Sequence, residues 1–434
     1  MRDKNQWTNE SVQKFAGDKD PVAIMEERAR GLVLSAIDDG WKGPPYDLIA
    51  LARWRDIEVQ ATPDIPDARL VPKDSGGFLL EYNPVRPRGR LRFSIAHEIA
   101  HTLFDDCADE IRNRDALAAR SDSWQLEVLC NIGAAELLMP LGSFSELTGH
   151  DVSIDTALEL RKRFDTSVEA CLLRMVKLTD QPCAAFCASK HSDGEYRIDY
   201  VIPSSSAELS VEVGFAIPSD SVVADVNAIG YTRKGEETWG DDVLKIECVG
   251  LAPYPGSDTP RVVGVLKSRH KHQPTAPELK EIRGNALEPS GLGAKLIAHV
   301  VPNVRAMWGG GGFASAVRKK YPEAFEDFKR QVSATPGELP LGEVYASKLT
   351  KDLLVVHMVA QRGIGDRGPQ RLRLSALASC LSKVGLLARD MEASVHMPRI
   401  GTGHGGADWS MVREMVVSEL SDKGIPATVY TLPE

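Results

Sequence analysis

A chain of 434 residues has room for two or three domains, and 43% hydrophobic with 26% charged residues is an ordinary soluble globular composition. A formal net charge of −9 and a pI near 5.7 argue against tight, sequence-independent binding along a nucleic acid backbone, while leaving room for a local basic patch. The polar start Met1–Trp7 lacks the apolar core of a secretory signal, and no apolar run approaches the ~20 residues that span a bilayer. The seven cysteines (Cys107, Cys130, Cys171, Cys183, Cys187, Cys248, Cys380) are odd in number and scattered, as expected of reduced, mostly buried thiols in a cytoplasmic protein with no membrane partner.

Residues 1 to about 20 are polar and read as loosely held. An amphipathic helix follows from Pro21 to Ile37, ended by Asp38-Asp39-Gly40, and a second runs from Leu48 to Arg55. Ile57-Glu58-Val59 begins a strand, and Gly76 to Asn83 reads as another. A strand of this kind forms a wall along which an extended peptide can pair; a plain sheet edge without ligand is the alternative. Arg86, Arg88, Arg90 and Arg92 follow. A solvated loop is the simpler reading of them, and an anion or nucleic acid contact the functional one.

In Arg92 to Leu103, apolar residues recur at helical spacing (Phe93, Ala96, Ala100, Leu103) around His97-Glu98-x-x-His101. Residues four apart share a helix face, so His97 and His101 can place two imidazole nitrogens on one ion. Glu98 points to the side, where its carboxylate can reach a metal-bound water rather than the metal. The bland alternative, two solvated histidines on a surface helix, predicts no further ligand. Trp124 to Pro140 supplies one: a second helix, apolar at Leu126, Leu129, Cys130, Ala134, Leu137 and Leu138, with Glu127 and Asn131 on one face. Glu136 is the competing carboxylate but falls nearer the opposite side. Glu127 is therefore the preferred third ligand, with Asn131 supporting the ligands from behind.

Phe93-Ser94-Ile95-Ala96-His97-Glu98-Ile99-Ala100-His101, followed by Glu127-x-x-x-Asn131-x-x-Ala134-Ala135-Glu136-Leu137-Leu138-Met139-Pro140, resembles the ImmA/IrrE family of bacterial metallopeptidases. The two halves stand 127 − 101 = 26 residues apart. The resemblance implies Zn²⁺ on His97, His101 and Glu127, with Glu98 as the general base. It further implies one regulatory protein as substrate, often a transcriptional repressor cleaved under stress or in phage defence. Cys130 and Gly133 stand where the family usually has Ala and Phe, a departure in packing rather than in ligands.

Ser153 to Lys177 reads as helical, broken by a turn near Asp165-Thr166 that resembles a helix-turn-helix element; in the resembled family this region is a structural helical pair. From Pro182 to about Arg269 the pattern changes to short alternating runs, clearest at 196–202, 243–249 and 261–266, which read as strands. Cys183 and Cys187 lie four apart in an apolar strand-like run, where packing explains them better than metal. The resembled family often carries a sensor-like domain here; a buttress for the peptidase is the alternative. Ser268 to Pro277 is polar and Pro-punctuated, a linker whose His270 and His272 are discounted as metal ligands.

From Leu279 strands and helices alternate. Strands are expected at 296–301, 353–359, 395–400 and 427–432, and helices at 314–320, 373–387 and 409–420. Two glycine-rich stretches, Trp308 to Phe313 and Gly401 to Gly406, each follow a strand and lead into a helix. Such loops expose backbone N–H groups toward a shared crevice, the physics of a diphosphate cradle. Met397-Pro398-Arg399-Ile400-Gly401-Thr402-Gly403-His404-Gly405-Gly406-Ala407-Asp408-Trp409, with Ile297 to Val300 and Gly309 to Phe313, resembles a macro domain. The similarity is to the branch that includes the terminal ADP-ribose glutamate hydrolase. It implies an ADP-ribose-type ligand held by Asn303, Gly310, Gly311, Gly312, Phe313, Gly401, Thr402, Gly403, His404 and Gly405. The catalytic Lys and Asp of that branch match Gln361 and Gly405, neither able to act as nucleophile or base. His404 and Asp408 remain nearby, and binding without turnover is the expectation.

The expected architecture is a multidomain α+β and α/β chain. It comprises a zincin-like helical peptidase domain with helical extension (1–181), a small β-rich sensor-like module (182–270), a linker (271–279) and a C-terminal α/β/α macro domain (280–434). The expected function is zinc-dependent cleavage of a repressor, gated by an ADP-ribose-type ligand, with a nucleic acid activator as a further partner. The alternatives are an ADP-ribose reader or ADP-ribosyl hydrolase regulator whose zinc is structural, and a pure binding scaffold.

Overall fold

The computed structural model describes residues 7–112, 122, 124–140, 142–143, 151–179, 181–191, 193–204, 206–240, 242–253, 259–268, 279–304, 311–364, 370–403 and 405–432. The chain divides into two compact units: residues 1–29, 42–140 and 146–274, and residues 30–41, 141–145 and 275–434.

The first unit begins with a helix that the polar sequence does not suggest, α1 (Glu10–Ala16). Asn9 caps it by accepting from Val12 N, and the Asn9 and Thr8 N–H groups donate to Gln125 Oε1. The polar start is ordered by partners more than a hundred residues away. Helices α2 (Pro21–Asp38), whose residues 30–38 belong to the second unit, and α3 (Leu48–Trp54) follow, the latter capped by Asp47. Strands β1 (Glu58–Ala61), β2 (Ala68–Pro72) and β3 (Phe78–Tyr82) form a three-stranded sheet in the order β1-β3-β2.

This order corrects the reading of residues 76–83 as a docking wall. Strand β3 is central, parallel to β1 and antiparallel to β2, so both of its edges are occupied. Among the described residues the outer strands are β1 and β2, and β2 is the one a sequence of five residues between Pro66 and Pro72 conceals. Next comes α4 (Arg88–His101), with residues 88–92 helical rather than looped, then α5 (Cys107–Arg112) and α6 (Trp124–Leu138). The arginines are engaged internally. Arg86 bonds the Pro66 carbonyl, Arg88 pairs with Asp165, Arg90 with Asp67 at 2.6 Å, and Arg92 bonds the Tyr46 carbonyl at 2.9 Å. That favours the structural reading over an anion or nucleic acid contact.

Helices α7 (Ile154–Phe164) and α8 (Val168–Leu178) are separate, because Asp165 turns left-handed (φ 56°) and Ser153 and Ser167 cap their starts. Strands β4 (Cys183–Lys190), β5 (Tyr196–Pro203), β6 (Thr232–Trp239), β7 (Asp242–Leu251) and β8 (Arg261–Ser268) make an antiparallel sheet in the order β5-β4-β8-β7-β6. Phe186, Ile198, Trp239, Leu244, Ile246 and Leu266 fill its core. All seven cysteines are buried thiols outside any disulfide, and Cys183 lies in β4 with its thiol pushed up to about 11 by burial. The linker histidines lie outside the described residues.

The second unit is an α/β/α sandwich. Its strands are β9 (Lys280–Arg283), β10 (Lys295–Pro302), β11 (Val344–Lys348), β12 (Leu353–Gln361), β13 (Ser394–Pro398) and β14 (Ala427–Thr431), in the order β11-β12-β10-β13-β14-β9. All neighbours are parallel except β11 with β12. Helices α9 (Gly312–Lys320) and α10 (Pro322–Val332) pack one face through Val317, Phe325 and Phe328. Helices α11 (Leu374–Asp390) and α12 (Trp409–Glu419) pack the other through Leu377, Leu381, Val412 and Val416, joined by Leu34.

Candidate metal centre and nucleotide crevice

Helix α4 buries Ile95, Ala96, Ile99 and Ala100, which turns His101 inward and leaves His97 at the rim. Helix α6 meets it closely, because a Cβ on Gly133 would stand 2.9 Å from the Ala100 Cβ. Across this contact His97 Nε2 lies 3.0 Å from Glu127 Oε2 and 3.1 Å from His101 Nε2, and His101 Nε2 lies 3.8 Å from Glu127 Oε1. A tetrahedral zinc with bonds of ~2.05 Å has ligand atoms about 3.3 Å apart, so the three groups fit one such ion. Among the described residues this is the one cluster of its kind.

Asn131 Oδ1 lies 2.9 Å from His97 Nδ1. Accepting the Nδ1 proton leaves the Nε2 lone pair directed at the cluster. The His97 pKa is raised: burial opposes protonation, but the hydrogen bond and charge of Glu127, with Glu98 and Asn131, outweigh it. Glu136, the competing carboxylate, is buried and bonded by both oxygens to the buried Arg174 guanidinium. Sequence reading missed Arg174, although a cation on the apolar stripe of α8, between Cys171 and Met175, signals a buried partner.

Glu98 is 6% exposed and its Oε2 accepts from Leu70 N on β2 at 2.9 Å. The base candidate is thus bonded to the sheet, and its charge also acts on His97. No pattern near His97 points to residue 70, because the contact is made by main chain.

In the second unit, β10, β12 and β13 are parallel neighbours, so the segments after them emerge at one end of the sheet. Asn303 follows β10, buried, with its Oδ1 accepting from Gly363 N and its Nδ2 donating to Glu338. Gly311 and Gly312 start α9, Gly312 with φ 63°, and the Phe313 ring lies 6.2 Å from the His299 ring. After β13, Gly401 adopts φ 75°, and a Cβ on Gly405 would strike the Gly401 carbonyl at 2.4 Å. The Gly405 carbonyl accepts from Arg371 N and Leu372 N, and Thr402 Oγ1 donates to the Arg399 carbonyl. Gly403 stands in open space. Gly310 and His404 lie outside the described residues.

Gln361 ends β12 and donates to the Gly363 carbonyl. Asp408 caps α12, its pKa lowered by hydrogen bonds from the Ser410 hydroxyl and N–H, so it is held as an acceptor.

Residues 65–176 match the family model of the IrrE N-terminal-like domain, and residues 291–416 match that of the macro domain. The radiation response metalloprotease IrrE of Deinococcus deserti is 30% identical over 163 residues, 34% of this chain and 56% of that protein. The chromodomain-helicase-DNA-binding protein 1-like of Mus musculus is 27% identical over 161 residues, 35% of this chain and 17% of that protein. A solved macrodomain protein from Streptomyces coelicolor is 33% identical, covering 36% of this chain and 99% of that one, with a TM-score of 0.31. The chain thus spans about half of the bacterial relative and a sixth of the mouse one.

Proposed function

Since the chain carries an IrrE-type metallopeptidase segment and a macro domain, we propose that it is a zinc-dependent endopeptidase that cleaves a repressor-type regulatory protein, gated by an ADP-ribose-type ligand. The observation that carries the peptidase reading is the convergence of His97 Nε2, His101 Nε2 and the Glu127 carboxylate, with the Glu98 charge acting on His97. His97, His101 and Glu127 hold the ion, and Asn131 keeps His97 in the ligating tautomer. When bound, zinc supplies Lewis acidity that activates water and polarises the scissile carbonyl. Glu98 takes the proton from the attacking water and returns it to the leaving amine. The open edge of β2 offers main-chain hydrogen bonds to an extended substrate.

In the macro domain, the glycines 311–312, 401, 403 and 405 offer N–H groups to a diphosphate, with Asn303, Phe313 and Thr402 as further ligand contacts and, outside the described residues, Gly310 and His404. The positions of Gln361 and Asp408 support binding without hydrolysis. The working division is peptidase 1–181, sensor-like module 182–270, linker 271–279 and macro domain 280–434. A cytoplasmic role in stress response or phage defence accords with this, and among the described residues no helix is long and apolar enough to cross a membrane.

The test is cleavage of candidate repressor proteins, those encoded by neighbouring genes first, with and without ADP-ribose, on protein of measured zinc content. Glu98→Gln should lower cleavage by about 10²–10⁴-fold while leaving zinc bound. Retained cleavage would remove the peptidase reading, and release of ADP-ribose from a modified protein would favour the hydrolase alternative. Calorimetry with ADP-ribose tests the macro assignment by itself; no binding at millimolar ligand removes the gating idea.

A further inference from the structure

The hydrogen bond between Leu70 N and Glu98 joins the sheet edge to the proposed base. Its direction follows from the ladder. Asn83 N donates to the Asp67 carbonyl at 2.7 Å and Lys73 N donates to the Gly77 carbonyl at 3.0 Å. Residues 67 and 73 thus face β3, as do Arg69 and Val71 by alternation, opposite Glu81 and Leu79. Ala68, Leu70 and Pro72 turn their main-chain groups the other way, toward the edge that, among the described residues, no strand covers. Pro72 has no N–H, so β2 offers two outward donors, and the central one, on Leu70, is taken by Glu98 at 2.9 Å.

An extended chain that adds to β2 needs this same donor. One N–H makes one good hydrogen bond, so peptide and carboxylate compete for it. With Oε2 tied to the sheet, the Glu98 carboxylate is also fixed in orientation. We propose that the Leu70 main-chain N–H is a positioning group that holds Glu98 in reserve, and that a peptide main chain docking on β2 takes over this N–H and releases Glu98 for catalysis. The inference rests on the peptidase reading for the role of Glu98, and on the structure alone for the shared donor. Its consequence is that the base becomes available when substrate main chain occupies the edge next to it. Folded proteins without an extended segment would leave it held.

The experiment uses the full-length protein stripped of metal, so that binding is read without cleavage. The probe is a dansylated combinatorial hexapeptide mixture followed by fluorescence polarisation, with hydrogen exchange at the Leu70 amide as a second readout. Glu98→Ala removes the competitor and should bind the mixture about fivefold more tightly than wild type, the worth of one main-chain hydrogen bond. Glu98→Gln keeps an acceptor and should bind as wild type does. Replacing Leu70 by its α-hydroxy acid, which swaps the N–H for an ester oxygen, should erase the gain from Glu98→Ala. Exchange at Leu70 should be slow in wild type, fast in Glu98→Ala, and slow again in Glu98→Ala with peptide. Equal affinities of wild type and Glu98→Ala, or no binding by any of them, overturns the proposal. A zinc-loaded wild type that fails to cleave the repressor while the competition is present overturns instead the peptidase reading.

Discussion

At the scale of single residues, the two acidic side chains of α6 show how environment assigns roles to like groups. Glu127 is half exposed, beside two imidazoles, whereas Glu136 is 2% exposed against an arginine that is 4% exposed. Helical periodicity separates their faces, which is why Glu127 could be preferred from sequence. The reason Glu136 is acidic at all lies in Arg174, 38 residues on. Glu136→Gln leaves the Arg174 charge buried without its counterion and should cost about 3–5 kcal/mol, read by urea denaturation of the metal-free protein. Glu127→Gln should remove zinc affinity with little change in the same measurement. Asn131→Ala takes away the acceptor that orients His97 and should weaken zinc binding by about 10–100-fold, measured by chelator competition, without altering the fold.

At the scale of elements, the long periodic helices were legible and the short or edge elements were not. Helix α4 and helix α6 declare themselves through apolar spacing, and Pro140 ends the second. Strands β2, β9 and β11 have four or five residues each, and β9 is exposed throughout, so no alternation marks it. Helix α10 carries Ala324, Phe325, Phe328 and Val332 on its buried face, a helical spacing present in the sequence between two stronger signals. Helix α11 teaches a different lesson. Its N-cap residue is Arg373, which provides no side-chain cap. Asp38 supplies one instead, accepting from Leu374 N at 2.8 Å, Ser375 N at 3.1 Å and Ser375 Oγ at 2.7 Å. Asp38 reads in sequence only as the end of α2. Asp38→Ala should therefore destabilise the second unit by about 1–2 kcal/mol, seen as a lower Tm.

At the scale of the whole molecule, the two units answer to different solution conditions. The sandwich buries three histidines in its sheet. Burial pushes His299 down to about 3, and burial together with His299 pushes His357 well below the usual imidazole range. Burial, helped by Lys295, pushes His396 down to about 4. His299 Nε2 and His357 Nδ1 share one hydrogen bond of 2.7 Å, and His357 Nε2 meets Ser347 Oγ at 3.1 Å. In the unfolded chain these rings titrate near 6.5, so below that pH the unfolded state binds more protons than the folded one. Their contribution to stability is complete above about 6.5 and is lost as pH falls toward 4 and then 3. Thermal unfolding of the second unit should accordingly shift to lower temperature on acidification through this window. His299→Phe should flatten that dependence.

The metal helix, its partner helix, the identity of the candidate ligands and the two glycine segments are all written in local sequence. Each depends on spacing along one helix or one turn, and spacing survives without a fold. Which strands lie at the edge, where Glu98 is held and what satisfies Glu136, Asn303 and the start of α11 are fixed by the fold, the polar partners being from 28 to 337 residues away. Those partners are main-chain groups or single polar side chains, which leave no periodic trace. Only the folded chain, where each buried polar group must find its partner, decides them.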